Sequence, residues 1–142
     1  VSGLTHWIRS QIPSGSPDDL GPLQLAWLGD AVWEMHQRLR HCDRSMRSKD
    51  FHHAVVSEVK ACAQADALVS LEPYLTDLEK DFVRRGRNRS GKGPRKGEEA
   101  TYAMATGFET MVGWLFLKNP LRLADLFDEL SKNPKEIKVL NR

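Results

Sequence analysis

Between Leu20 and Trp33 the chain reads LGPLQLAWLGDAVW, and its only charged residue there is Asp30. Between Ala100 and Leu117 it reads ATYAMATGFETMVGWLFL, and the only charged residue is Glu109. Apolar runs of this length, with helical spacing, must be covered on more than one side, so they set the centre of the fold. Each run carries one carboxylate with it. Taking an ionised carboxylate out of water costs several kcal/mol unless something compensates. Three compensations are open: a basic side chain, a shifted pKa or a bound cation.

The rest of the chain also reads as helices. Residues 4–12 predict a short one, followed by a Pro/Ser/Gly/Asp linker over 13–22. A long helix is expected from Leu23 to His41, with Leu28, Ala31, Val32, Met35 and Leu39 on one face. On this helix Asp30 falls opposite the Leu28, Val32, Met35 stripe, but Trp27 and Trp33 flank it at roughly 60° on either side. Ser48 to Ser70 predicts the next helix, with Ser48 as N-cap and Asp50 in the first turn. Thr76 caps another, which should end near Gly86; Glu98 to Leu117 forms the second apolar helix, and Pro120 opens a last amphipathic one. No alternating strand pattern, hairpin dipeptide or internal repeat is present. The expectation is all-α: one domain over 1–142, with its core at about 20–130 and a frayed tail over 133–142.

Composition sets limits. The 142 residues, 40% hydrophobic and 28% charged, suit one globular domain, and a net charge of +2 leans only mildly towards polyanions. Cys42 and Cys62 are too few for a disulfide framework and lack metal-ligand spacing, so they read as structural thiols in a reducing compartment, the cytoplasm. No basic-then-apolar segment opens the chain and charges or glycines break the apolar runs, which argues against export and membrane spanning. The chain starts at Val1, so a trimmed upstream segment would place the same domain in an organelle.

Charge is concentrated in RRGRNRSGKGPRKG, residues 84–97, which holds Arg84, Arg85, Arg87, Arg89, Lys92, Arg95 and Lys96 and no acid. Its glycines and Pro94 predict a flexible loop, and guanidinium groups grip phosphate oxygens bidentately. The competing reading of such a run is a solvated loop. No Lys or Arg lies within either apolar run, which brings a cation from outside the chain into play. Hard oxygen ligands from two helices suit Mg2+ or Mn2+. Structural pairing of each acid with an Arg elsewhere is the alternative. A basic loop beside a metal site points to phosphodiester chemistry in nucleic acid.

LAWLGDAVWE, KDFHHAVVSEVKACAQADAL, VRRGRN and ATGFETMVGWLFL, in that order, resemble the Mini-ribonuclease III family, a compact branch of ribonuclease III without a separate double-stranded-RNA-binding domain. The resemblance implies a helical endonuclease domain, a homodimer and Mg2+-dependent cleavage of double-stranded RNA to 5′-phosphate products. It further implies maturation of 23S ribosomal RNA precursor, with a ribosomal protein as accessory. Asp30 and Glu109 fall on the family's metal-binding catalytic acids. The broader ribonuclease III pattern has acids one and two turns before the Asp of LGDAV, where this chain has Ala26 and Leu23, and an Asp three residues before the later Glu, where it has Thr106. That reduced set resembles the Mini-III branch and leaves the remaining metal positions to water and scissile phosphate. Thr106 is expected to bond back to its own helix, the other reading being a bond to a metal-bound water. Glu34, one turn after Asp30, reads equally as an acid supporting the site from behind or as the partner of Arg38, and is left out of the metal set. His52 and His53 are expected to pack, and Lys60 is a further candidate RNA contact. The rival to a nuclease is a non-catalytic helical RNA-binding or ribosome-assembly module using the same basic segment.

Overall fold

The computed structural model describes residues 3–42, 57–94 and 96–132. Within them are α1 (Gly3–Gln11), α2 (Pro22–His41), α3 (Ser57–Leu71), α4 (Asp77–Arg89), α5 (Glu99–Lys118) and α6 (Pro120–Ser131), with 3-10 turns at Pro17–Asp19 and Glu72–Tyr74. No strand occurs among the described residues, as expected of an all-α chain. The expected linker thus contains a turn, and its last residue, Pro22, is the first of α2. Ser48, Asp50, His52, His53, Arg95 and the 133–142 tail lie outside the described residues.

Helix ends follow from local chemistry. Thr76 Oγ1 accepts from the Glu79 amide at 3.1 Å while the Glu79 carboxylate accepts from the Thr76 amide at 2.8 Å, a reciprocal cap that starts α4. Asn119 accepts from the Arg122 amide at 3.2 Å ahead of Pro120, whose missing N–H costs nothing in a first turn. Helix α5 is the axle: α2, α3, α4 and α6 all pack on it. Every residue from Ala105 to Leu115 is buried except Glu109.

Two close crossings set the geometry. A Cβ on Gly29 would lie 1.8 Å from the Glu109 carbonyl oxygen, and one on Gly113 would lie 2.0 Å from that of Leu25, so α2 and α5 touch backbone to backbone. This contact turns α2 so that its buried face is Leu25, Ala26, Gly29, Val32 and Trp33. The expected stripe is therefore corrected: Ala31 is exposed, as are Met35 at 45% and Leu39 at 63%. At the second crossing, a Cβ on Gly86 would meet Thr110 Oγ1 at 2.2 Å. Gly86 is thus a helix–helix contact, and α4 runs on to Arg89 instead of ending there. Trp33 packs edge-on to Phe108 at 5.2 Å and Trp114 stacks on Phe82 at 4.3 Å, whereas Trp27 is 82% exposed. Cys42 and Cys62 are exposed and free, which overturns their reading as structural thiols.

Candidate active site

Because Gly29 seats α2 against the Glu109 peptide, the next residue, Asp30, is placed beside the Glu109 side chain. Helix α3 then adds what neither apolar run contains. Lys60 Nζ donates to Asp30 Oδ1 at 2.5 Å and to Glu34 Oε1 at 3.0 Å. Of the three compensations, a basic side chain is therefore present, though it is a lysine and not an arginine, and the pairing of Glu34 with Arg38 is corrected: the ion pair of Glu34 is to Lys60. Lysine was invisible as a partner because it lies on another helix, thirty residues from Asp30.

One ammonium does not neutralise the group. Burial first, then the Asp30 charge and a proton shared with Asp30, push the Glu109 carboxyl up to about 8, while Lys60 and Gln64 pull the other way. Gln64 is 1% exposed; its amide nitrogen has no partner at hydrogen-bond distance, yet it is near enough to favour the Glu109 charge. Glu79 shows what full compensation looks like. Only 2% exposed, it takes Arg122 Nε at 2.9 Å and a second guanidinium nitrogen at 3.0 Å in addition to the Thr76 cap. Burial pushes its carboxyl up, but these donors outweigh it and hold the carboxyl below the ordinary value. Glu79 escaped the sequence reading as a buried acid, although the Thr76-x-x-Glu79 spacing signals its cap.

Asp30, Lys60, Gln64 and Glu109 line a cleft of about 240 Å³, together with Pro94, Glu98 and Tyr102. Gly93, at φ +77°, lies so tightly on Tyr102 that a Cβ would meet the ring at 2.6 Å. The basic segment is thereby held beside the acids. Its first half is helix, not loop. Arg84 and Arg85 sit on α4 and pair with Asp81, with Arg85 also 4.7 Å above the Phe82 ring. Arg87 and Arg89 occupy the last turn of α4, and Lys92 and Lys96 are exposed in the loop. Thr106 Oγ1 donates to the Tyr102 carbonyl at 3.0 Å, the backward bond expected of it.

Among the described residues no three His, Cys, Asp or Glu side chains gather as a ready-made metal cluster. The donor set still fits a hard divalent cation with several other ligands. Two carboxylates meet, one of them driven to keep a proton by burial and then by its neighbour, and a lysine ammonium stands in for positive charge. Glu109 also makes stability pH-dependent. Between pH 4.5 and about 8 the folded chain holds a proton that the unfolded chain has released, so metal-free stability falls as pH rises through that window. Glu109→Gln should remove this slope and stabilise the chain above pH 8 by about 2–4 kcal/mol, read from denaturant unfolding in chelator across pH. Parallel slopes in both chains would show that Glu109 is ionised throughout.

Residues 23–120, spanning α2 to α5, match the family model described as Ribonuclease III domain. The chain is 48% identical over 111 residues to the Mini-ribonuclease 3 of a Synechococcus species, covering 78% of this chain and 80% of that protein. It is 42% identical over 122 residues to the Mini-ribonuclease 3 of a Synechocystis species, covering 84% and 85%. An X-ray structure of a Fusobacterium nucleatum protein superposes with a TM-score of 0.70 at 25% identity, covering 80% of this chain and 93% of that one. The family model spans the helices that carry Asp30, Lys60 and Glu109, and on these matches the chain belongs to the ribonuclease III family, in its Mini-ribonuclease III branch.

Proposed function

We propose that this chain is an endoribonuclease that hydrolyses phosphodiester bonds of double-stranded RNA in the Asp30–Glu109 cleft, with Mg2+, or Mn2+ in its place. The observation that carries this is an acid pair left under-neutralised by Lys60, in a cleft that Pro94 of the basic segment also lines. Ribonuclease III enzymes depend on a divalent metal and act on double-stranded RNA. When bound, the ion supplies a water activated as nucleophile and offsets charge developing on the scissile phosphate. Asp30 and Glu109 would hold it, Glu109 giving up its carboxyl proton to do so, and neither acts as a covalent nucleophile. Arg84, Arg85, Arg87, Arg89, Lys92, Arg95 and Lys96 then grip the backbone on either side, reading the A-form duplex by shape.

We further assign a homodimer. Leu23, Trp27 and Ala31 recur four residues apart on the exposed side of α2, forming an apolar strip next to Asp30 that suits a second copy. Two clefts in one groove then cut both strands, leaving 5′-phosphate products. The cellular substrate we assign is 23S ribosomal RNA precursor, with a ribosomal protein as accessory, in the cytoplasm or an organelle. Kinship with bacterial Mini-ribonuclease 3 proteins supports this. No helix among the described residues is long and apolar enough to cross a membrane.

The test is cleavage of a perfectly paired RNA duplex beside its single strand, with Mg2+ or chelator, with sedimentation of the same samples for the dimer. Duplex-only, metal-requiring cleavage is expected. If six basic residues touch phosphate, a fourfold rise in salt should weaken duplex binding roughly a thousandfold. Duplex binding without cleavage under every divalent condition would leave the RNA-binding or ribosome-assembly module.

A further inference from the structure

We propose that Lys60 is the resident cation of the metal-free site, and that an entering divalent ion takes Asp30 from it by exchange, with Glu34 retaining the displaced ammonium. The inference rests on the metal reading above and gives Lys60 and Glu34 positioning roles within it. Lys60 reaches from α3 into the cleft and bonds both acids at once, Asp30 at 2.5 Å and Glu34 at 3.0 Å. Asp30 and Glu34 lie one helical turn apart on α2, so a small swing of the lysine stem releases one without leaving the other.

The chemistry favours exchange over coexistence. An ammonium is a compact donor that cannot ligate a metal, and while it holds Asp30 Oδ1 it offers positive charge where the ion would. All three side chains are only partly buried, so the pairing is screened and replaceable, unlike the Glu79–Arg122 clamp. A hard dication carries twice the charge and prefers carboxylate oxygen, so it wins Asp30 when present. Without it, Lys60 keeps Asp30 and Glu34 from repelling one another. Glu34, paired within the described residues only to Lys60, explains why an acid one turn past Asp30 stands beside the site without being needed as a ligand.

The experiment titrates Mg2+ alone against the native chain, Lys60→Met and Lys60→Arg, following the thermal unfolding shift, with no RNA and no turnover. Lys60→Met should unfold at a lower temperature in chelator, and its Mg2+ midpoint should fall about fivefold to tenfold because the competitor is gone. Lys60→Arg, which keeps the charge, should hold a midpoint near the native one. In the native chain, acetylation of Lys60 by an amine-reactive ester, read by peptide mass spectrometry, should be faster with Mg2+ than with chelator. Should Lys60→Met fail to fold, the acetylation rates decide alone, and equal rates overturn the proposal. An unchanged or weaker Mg2+ midpoint in folded Lys60→Met overturns the exchange while leaving the metal reading intact. No Mg2+ shift in any of the three chains overturns both together.

Discussion

Asp30→Asn is expected to lower single-turnover cleavage of duplex RNA by roughly a thousandfold, while duplex binding and folding stay near native. Asparagine keeps the shape of Asp30 and an oxygen that can still accept from Lys60, so the α2–α3 contact survives. What disappears is one of two charges that would hold the ion, and with it one of the causes that push the Glu109 carboxyl up. The variant should therefore be at least as stable as the native chain in chelator at neutral pH, the opposite of what loss of a purely structural ion pair would do. Cleavage within tenfold of native, with binding intact, would remove Asp30 from the catalytic set.

Gly29→Ala is expected to destabilise the chain by about 2–4 kcal/mol, seen as a lower denaturant midpoint. Helix propensity alone says the reverse, since alanine beats glycine in a helix interior by roughly 1 kcal/mol. The sign is set by space: the new Cβ would lie 1.8 Å from the Glu109 carbonyl oxygen and 2.9 Å from the Gly113 nitrogen, both backbone atoms that cannot turn away. The helices must separate, and cleavage should suffer too. Gly3→Ala, also helical but with nothing within 4 Å of the added carbon, is the control and should change stability little. Equal small effects at both positions would mean that the α2–α5 crossing yields without cost.

Asp30 and Glu109 were legible because a charge in an uncharged run stands out whatever the fold. Lys60 was not, because one cation among twenty-one Lys and Arg residues carries no mark of which acid it will reach. The buried face of α2 was misjudged for a related reason. Hydrophobic weight follows large side chains such as Met35 and Leu39, whereas the closest approach is marked by the small ones, Ala26 and Gly29. In sequence Gly86 reads as the end of its helix, yet it lies in contact with Thr110 and Gly107 on α5, which offsets the intrinsic helix cost of glycine. Pairings between distant helices lie in three-dimensional packing that no local window contains. The Thr76 cap, the Pro120 start and the backward bond of Thr106 are local, and these were readable.

Gly29 and Asp30 are consecutive, so a backbone-to-backbone joint and a carboxylate of the cleft share one peptide unit. In mechanical terms the lever arm between bearing and tool is a single residue. Positional error at Asp30 is then inherited from a rigid backbone contact and is not accumulated along a loop. A chain built this way can aim its acid before any substrate arrives. The same short lever means that pressure, heat or a remote substitution that opens the joint misplaces the acid with it.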